Sequence, residues 1–144
     1  MIAKYPKIIE LLELTGAHDI NHSGRTLFEH LSKTCELLES LGASKEVCMA
    51  GALHSIYGTT VFKNKSLDIK ERPLVKYVVG EYAERLAYLF CRAPRPFEVS
   101  RNEKEYYLTT VDGSEKVSKK ELNNLTLICA ANSSEQRLSK HRLN

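Results

Sequence analysis

Residues 47–53, Val-Cys-Met-Ala-Gly-Ala-Leu, form a run without a polar side chain, and the run ends in His54-Ser55. Ser44 reads as its N-cap, Glu46 suits the first turn, and Gly58 supplies a stop, so the sequence predicts a helix over about 45–56. A helix that is apolar nearly all round has to be buried centrally. Gly51, between Ala50 and Ala52, lets a neighbouring helix come close. The rest of the chain must therefore wrap this segment, and His54 and Ser55 fall at the end of its most interior element. A histidine there is costly unless it has a partner.

The preceding segment offers one. Leu27, Leu31, Thr34, Leu38 and Leu41 recur at three- and four-residue steps, which predicts a helix over about 25–41 that stops at Gly42. His30 borders that stripe, and His22 lies just before it. Three of the chain's five histidines thus fall between residues 22 and 59. His30 and His54 read as facing one polar site, against the plainer account of two unrelated core histidines. His18 reads as a surface or loop residue.

Around this pair the pattern is helical. Ile8, Ile9, Leu11, Leu12 and Leu14 give a first helix over about 5–15. Residues 59–70 read as a loop anchored by Phe62. Asp68, Glu71 and Pro73 then open a short helix over 74–79, and Gly80 separates it from another over 81–91. Residues 93–105 read as irregular. Tyr106–Val111, Asp112-Gly113 and Glu115–Val117 make a small hairpin with Asp-Gly as its turn. Ser118 with Glu121 forms a capping box for a last helix over about 119–135. The polar tail 136–144 frays and takes His141 with it. The expected fold is all-α, a single domain over 1–144 with five to seven helices, a core over 22–135 and one hairpin near 106–117.

Bulk properties mostly exclude. A length of 144 residues suffices for one core without staples. A net charge of +3 from 21 basic and 18 acidic residues, scattered rather than striped, argues against nucleic acid as a partner. No run approaches the roughly 20 apolar residues of a membrane span. Together with the absence of a leader-like N-terminus this gives an expected cytoplasmic protein. Cys35, Cys48, Cys91 and Cys129 show no Cys-x-x-Cys spacing and read as buried free thiols rather than disulfides or metal ligands. Nothing in the sequence indicates a homo-oligomer.

The order of a helical His30, then Ala-Gly-Ala-Leu-His54-Ser55-Ile-Tyr-Gly at the end of an apolar helix, resembles the HD-domain superfamily of metal-dependent phosphohydrolases. It looks closest to a small uncharacterised HD-like family with an Ala-Gly-x-x-His-Ser-x-Tyr-Gly-Thr block. Gly80 with Ala83-Glu84, Leu89-Phe90-Cys91, Ala131-Asn132 and Glu135-Gln136 are further points of similarity. The resemblance implies an HD-like bundle holding one or two metal ions. It also exposes two departures, because Ser55 stands where the superfamily has an aspartate ligand and Asn132 best matches its distant aspartate.

Two imidazoles, a hydroxyl and a carboxamide carry no negative charge, which argues against Mg²⁺. Zinc or iron would fit if His22 supplied a third imidazole; otherwise there is no metal. The expected metal ligands are therefore His22, His30 and His54. Arg25 is either an exposed first-turn residue or a clamp for a phosphate or carboxylate. Tyr57 points into the site or packs as core. Glu84 and Glu135 are proton-transfer carboxylates or lie on solvated faces. A Ser-His-acid nucleophile built on Ser55 or Ser23 lacks a Gly-x-Ser-x-Gly elbow.

The expected function is a cavity lined by His22, His30, His54, Tyr57 and Asn132 that binds a small anionic ligand. It serves a metal-dependent hydrolase or oxygenase, with His54 or Glu135 moving protons and Arg25 and Asn132 on the ligand. The alternative is a catalytically inactive binding or regulatory protein that keeps the scaffold without metal.

Overall fold

The computed structural model describes residues 2–22, 25–58 and 67–143, and the side chains of these except 21, 22 and 139–143. After a 3-10 turn at Ile2–Lys4, helix α1 spans Pro6–Leu14, and a second 3-10 turn covers Ala17–Asp19. Two short strands, β1 at Asn21–His22 and β2 at Arg25–Thr26, pair antiparallel in front of helix α2, Leu27–Ser40. Helix α3 is Lys45–Ala52; a 3-10 turn at Ile69–Glu71 leads into α4, Arg72–Val79, and then α5, Glu81–Arg92. Strands β3 (Val99–Asn102), β4 (Glu105–Thr110) and β5 (Gly113–Val117) form an antiparallel meander, and α6 closes the chain over Lys119–Leu143. The expected loop anchor Phe62 lies outside the described residues.

As the composition of 47–53 requires, α3 is central. It packs against α2, α5 and α6, with Val47, Cys48, Ala50, Ala52 and Leu53 all essentially without exposure. Gly51 has a specific reason to be glycine: a Cβ there would collide with the Leu38 side chain of α2. The stripe of α2 is buried at Leu27, Leu31 and Leu38, and α6 adds Leu125, Ile128 and Ala131. Ser44 caps α3 by accepting from the Val47 amide, and Ser118 and Glu121 form the expected capping box at 3.0 and 2.9 Å.

The all-α expectation is overturned. Among the described residues six helices are joined by a three-stranded antiparallel sheet, so the fold is mixed α and β. The missing strand is β3, which lies in the segment read as irregular. All four of its residues are exposed, so it carries no alternation of apolar and polar side chains to betray it. Pairing with β4 defines it, Val99 opposite Leu108 and Arg101 opposite Tyr106. The sheet packs through fully buried Leu108 and nearly buried Val117, and the Val111 amide bonds to the Arg92 carbonyl at the end of α5.

The hairpin turn is also shifted by one residue. Thr110 faces Gly113, so Val111-Asp112 make the turn. An Asp-Gly turn of the favoured kind needs positive φ at both residues, whereas here only Gly113, at φ 138°, has it. Two helix ends differ as well. α3 stops at Ala52, leaving His54 on the following turn, and α6 continues through the supposed tail.

Candidate functional site

Helix α2 begins two residues later than the periodicity suggests, because Thr26 is its N-cap. The Thr26 hydroxyl accepts from the Glu29 amide at 3.2 Å, and the Glu29 carboxylate accepts from the Thr26 amide at 3.4 Å. Arg25 is therefore extended and outside the helix, not an exposed first-turn residue. Its side chain, 10 % exposed, crosses to α6 and grips Glu135 with both arms. Nη1 donates to Oε2 at 2.6 Å and Nη2 donates to Oε1. Glu135 is 1 % exposed, so the solvated-face reading fails for it.

His30 has no exposed surface, and its Nδ1 lies 2.7 Å from Glu135 Oε1. Arg25 Nη2 also lies 3.1 Å from that Nδ1. A guanidinium can only donate, so the two contacts assign Nδ1 opposite roles. The carboxylate contact decides. It is the shorter, and an unprotonated Nδ1 would press a lone pair against an ionised oxygen that the Arg25 charge holds anionic. Nδ1 therefore carries hydrogen and shares Oε1 with Arg25 as a second donor.

The same reasoning applies at the end of α3. His54, 3 % exposed, places Nδ1 2.7 Å from the Gly51 carbonyl oxygen, one of the acceptors that a helix C-terminus leaves over. A carbonyl only accepts, so this Nδ1 also donates. The Cys91 thiol donates to the His54 carbonyl at 3.2 Å, and the Phe90 ring meets the His54 ring edge-on at 5.2 Å. Both imidazoles are thus fixed at Nδ1, and the two Nε2 atoms face each other at 3.2 Å. In neutral rings both would be acceptors. A positive charge between them, a proton or a metal ion, would suit both. Two imidazoles on a tetrahedral ion at about 2.05 Å hold their nitrogens about 3.3 Å apart. The observed separation fits either cation.

Ser55 Oγ and Asn132 Oδ1 are buried without a hydrogen-bond partner among the described residues. Each such oxygen can accept a hydrogen bond from a bound species or a water. Among the described residues no group of three or more His, Cys, Asp or Glu side chains is placed to hold a metal ion. The side chain of His22, the expected third imidazole, lies outside the described residues.

Tyr57 does not join the histidines. Its hydroxyl donates to Glu84 Oε2 at 2.8 Å, inside a second buried cluster. Glu84 has no exposed surface and also takes Arg72 Nε at 2.8 Å and Nη2 at 2.9 Å, so neither the solvated nor the proton-transfer reading describes its setting. The Arg72 guanidinium lies 3.5 Å over the Tyr88 ring. Burial, then the bond to Glu84, pushes the Tyr57 phenol well above its ordinary range. Exposed His18 stacks on Phe28 at 4.0 Å, away from both clusters.

Sequence reasoning passed over Arg72 altogether. It also gave Arg25 and Glu135 no connection, since 110 residues separate them and only tertiary packing pairs them. The Thr26–Glu29 capping box was the one local signal that could have placed Arg25.

The chain belongs to a family known only as a domain of unknown function, DUF6817, whose model matches residues 11–95. That span carries His30, His54, Arg25, Arg72 and Glu84 but not Asn132 or Glu135 on α6. No curated protein and no solved structure shows a significant match. No helix among the described residues is long and apolar enough to cross a membrane.

Proposed function

We propose that the His30–His54 pair is a cation site, and that the protein binds zinc or iron there together with a small anionic ligand. The observation that carries this is the 3.2 Å approach of two Nε2 atoms whose rings are both committed as donors at Nδ1. A carboxylate behind one ligating imidazole and a backbone carbonyl behind the other is the usual outer shell of a metal-binding histidine pair. On this reading the chain is a divergent relative of the HD-type phosphohydrolases, with Ser55 and Asn132 offering neutral oxygens beside the ion.

When bound, such an ion supplies Lewis acidity and an acidified water, the chemistry of hydrolysis, or in the case of iron of oxygenation. The chain's own part is to hold the two rings, to keep the site dry under Phe90 and to offer hydroxyl and amide groups to the ligand. Arg25 is already committed to Glu135, so attraction for an anion comes from the cation itself.

That no group of three or more His, Cys, Asp or Glu side chains among the described residues is placed to hold a metal ion favours a second reading, a metal-free binding or regulatory protein whose histidines share a proton. Elemental analysis of protein purified without chelator separates the two. Roughly one zinc or iron per chain is expected, falling to background in both His30→Ala and His54→Ala. Protein that is metal-free and takes up neither ion on reconstitution would leave the second reading in place.

A further inference from the structure

We infer that Glu135 and Arg25 form a positioning couple, whose task is to choose which nitrogen of His30 carries hydrogen. This rests on the reading of the His30–His54 pair as a cation site, and it assigns Glu135 to outer-shell positioning instead of proton transfer. A free imidazole exchanges its hydrogen between Nδ1 and Nε2. Only the form with hydrogen on Nδ1 presents a lone pair at Nε2, where a cation can be held.

The geometry fixes that form in two steps. Glu135 Oε1 stands 2.7 Å from Nδ1, and a carboxylate accepts only, so the hydrogen is drawn to that side. Arg25 then donates to the other oxygen at 2.6 Å and shares the first, so both carboxyl oxygens are engaged as acceptors and face the ring in that role. His54 needs no such couple, because the Gly51 carbonyl, an acceptor with no alternative protonation state, does the same work. A buried glutamate would be an expensive way to anchor a helix that already buries Leu125, Ile128 and Ala131. Its placement on the ring nitrogen gives it a distinct role. The consequence is that α6, beyond the stretch matched by the family model, sets the chemistry of a residue inside that stretch.

The test compares Glu135→Leu with Glu135→Gln and reads two quantities. The first is Zn²⁺ affinity by competition with a chromogenic chelator. The second is the His30 tautomer from ring ¹⁵N shifts at mildly alkaline pH. An amide oxygen in the Oε1 position still accepts from Nδ1 but can no longer form an ion pair. Glu135→Gln should therefore keep hydrogen on Nδ1 and lose less than about 10-fold in affinity. Glu135→Leu should give a mixture of tautomers and lose roughly 10–100-fold, the usual effect of removing an outer-shell partner.

If the couple merely braces the fold through its charges, both variants lose alike and the tautomer stays put, which overturns the inference. Wild-type spectra with the hydrogen on Nε2 overturn it without any variant, so a misfolding Glu135→Leu does not shelter it. Wild-type protein that binds no Zn²⁺ refutes the cation reading, while the spectra still decide whether Glu135 sets the tautomer.

Discussion

The cluster around Glu84 and the one around His30 and His54 are both buried and charged, and they differ in how their hydrogens are distributed. Around Glu84 every contact is complementary. Arg72 donates twice, Tyr57 donates once, and the carboxylate only accepts. Around His30 and His54 the described contacts fix each ring from behind: Glu135 and Gly51 draw a hydrogen to each Nδ1, and the two Nε2 atoms face each other. The first arrangement ties elements together, whereas the second aims two ring nitrogens at one point. Burial alone does not distinguish them, since Glu84 and His30 are equally inaccessible.

The largest way to break this contrast is Arg72→Ala. It strands a fully buried carboxylate with Tyr57 alone, and removing one partner of a buried pair costs about 3–5 kcal/mol. Denaturant titration should show that loss, with cation binding per folded molecule unchanged. If the variant stays stable but no longer binds a cation, the clusters are one site and the contrast fails.

An alkaline limb should come next. Burial pushes the Cys91 and Cys35 thiols each up to about 12, and burial with the Glu84 contact pushes the Tyr57 phenol up too. In each case the folded state holds the protonated form more tightly than the unfolded chain does. Their stabilisation is complete below the ordinary thiol range and is lost as pH climbs from about 8.5 upward. The unfolding midpoint should fall through that window, and less steeply in Cys91→Ala. A midpoint that stays level there would show that these groups are not sequestered as described.

The smallest effects sharpen the comparison. Thr26→Ala and Ser118→Ala each remove a cap of similar geometry and should each cost about 1 kcal/mol. Only the Thr26 cap adjoins Arg25, so only its loss should also weaken cation binding, by a few-fold. Equal binding in the two variants would mean that the α2 start does not help to aim Arg25.

How much of this was legible in the sequence depends on the range over which each signal acts. The apolar run around Gly51 announced a central helix, and the Ser118–Glu121 spacing announced the start of α6, because packing demand and capping are local. Strand β3 left no trace, since none of its side chains is buried and only its neighbour defines it. The convergence of His30 and His54 followed from their positions on α2 and at the end of the neighbouring α3. Glu84 and Glu135 were harder. A glutamate on a predicted helix is by default a solvated residue, and what reverses that default here is an arginine 12 or 110 positions away. Tyr57 was assigned to the histidines because it is near them in sequence, yet the turn after α3 sends its ring to the other cluster.

The reach of α6 has a consequence of its own. Its capped start lies beside the sheet, and Glu135 lies roughly 25 Å further along a single uninterrupted rod. Angular phase along that rod is fixed, at about 100° per residue. One residue inserted or deleted between 122 and 134 would leave cap and sheet as they are and swing the carboxylate about a quarter-turn away from His30. The ring would lose its orientation through a change in helical count alone, with no residue of the site altered.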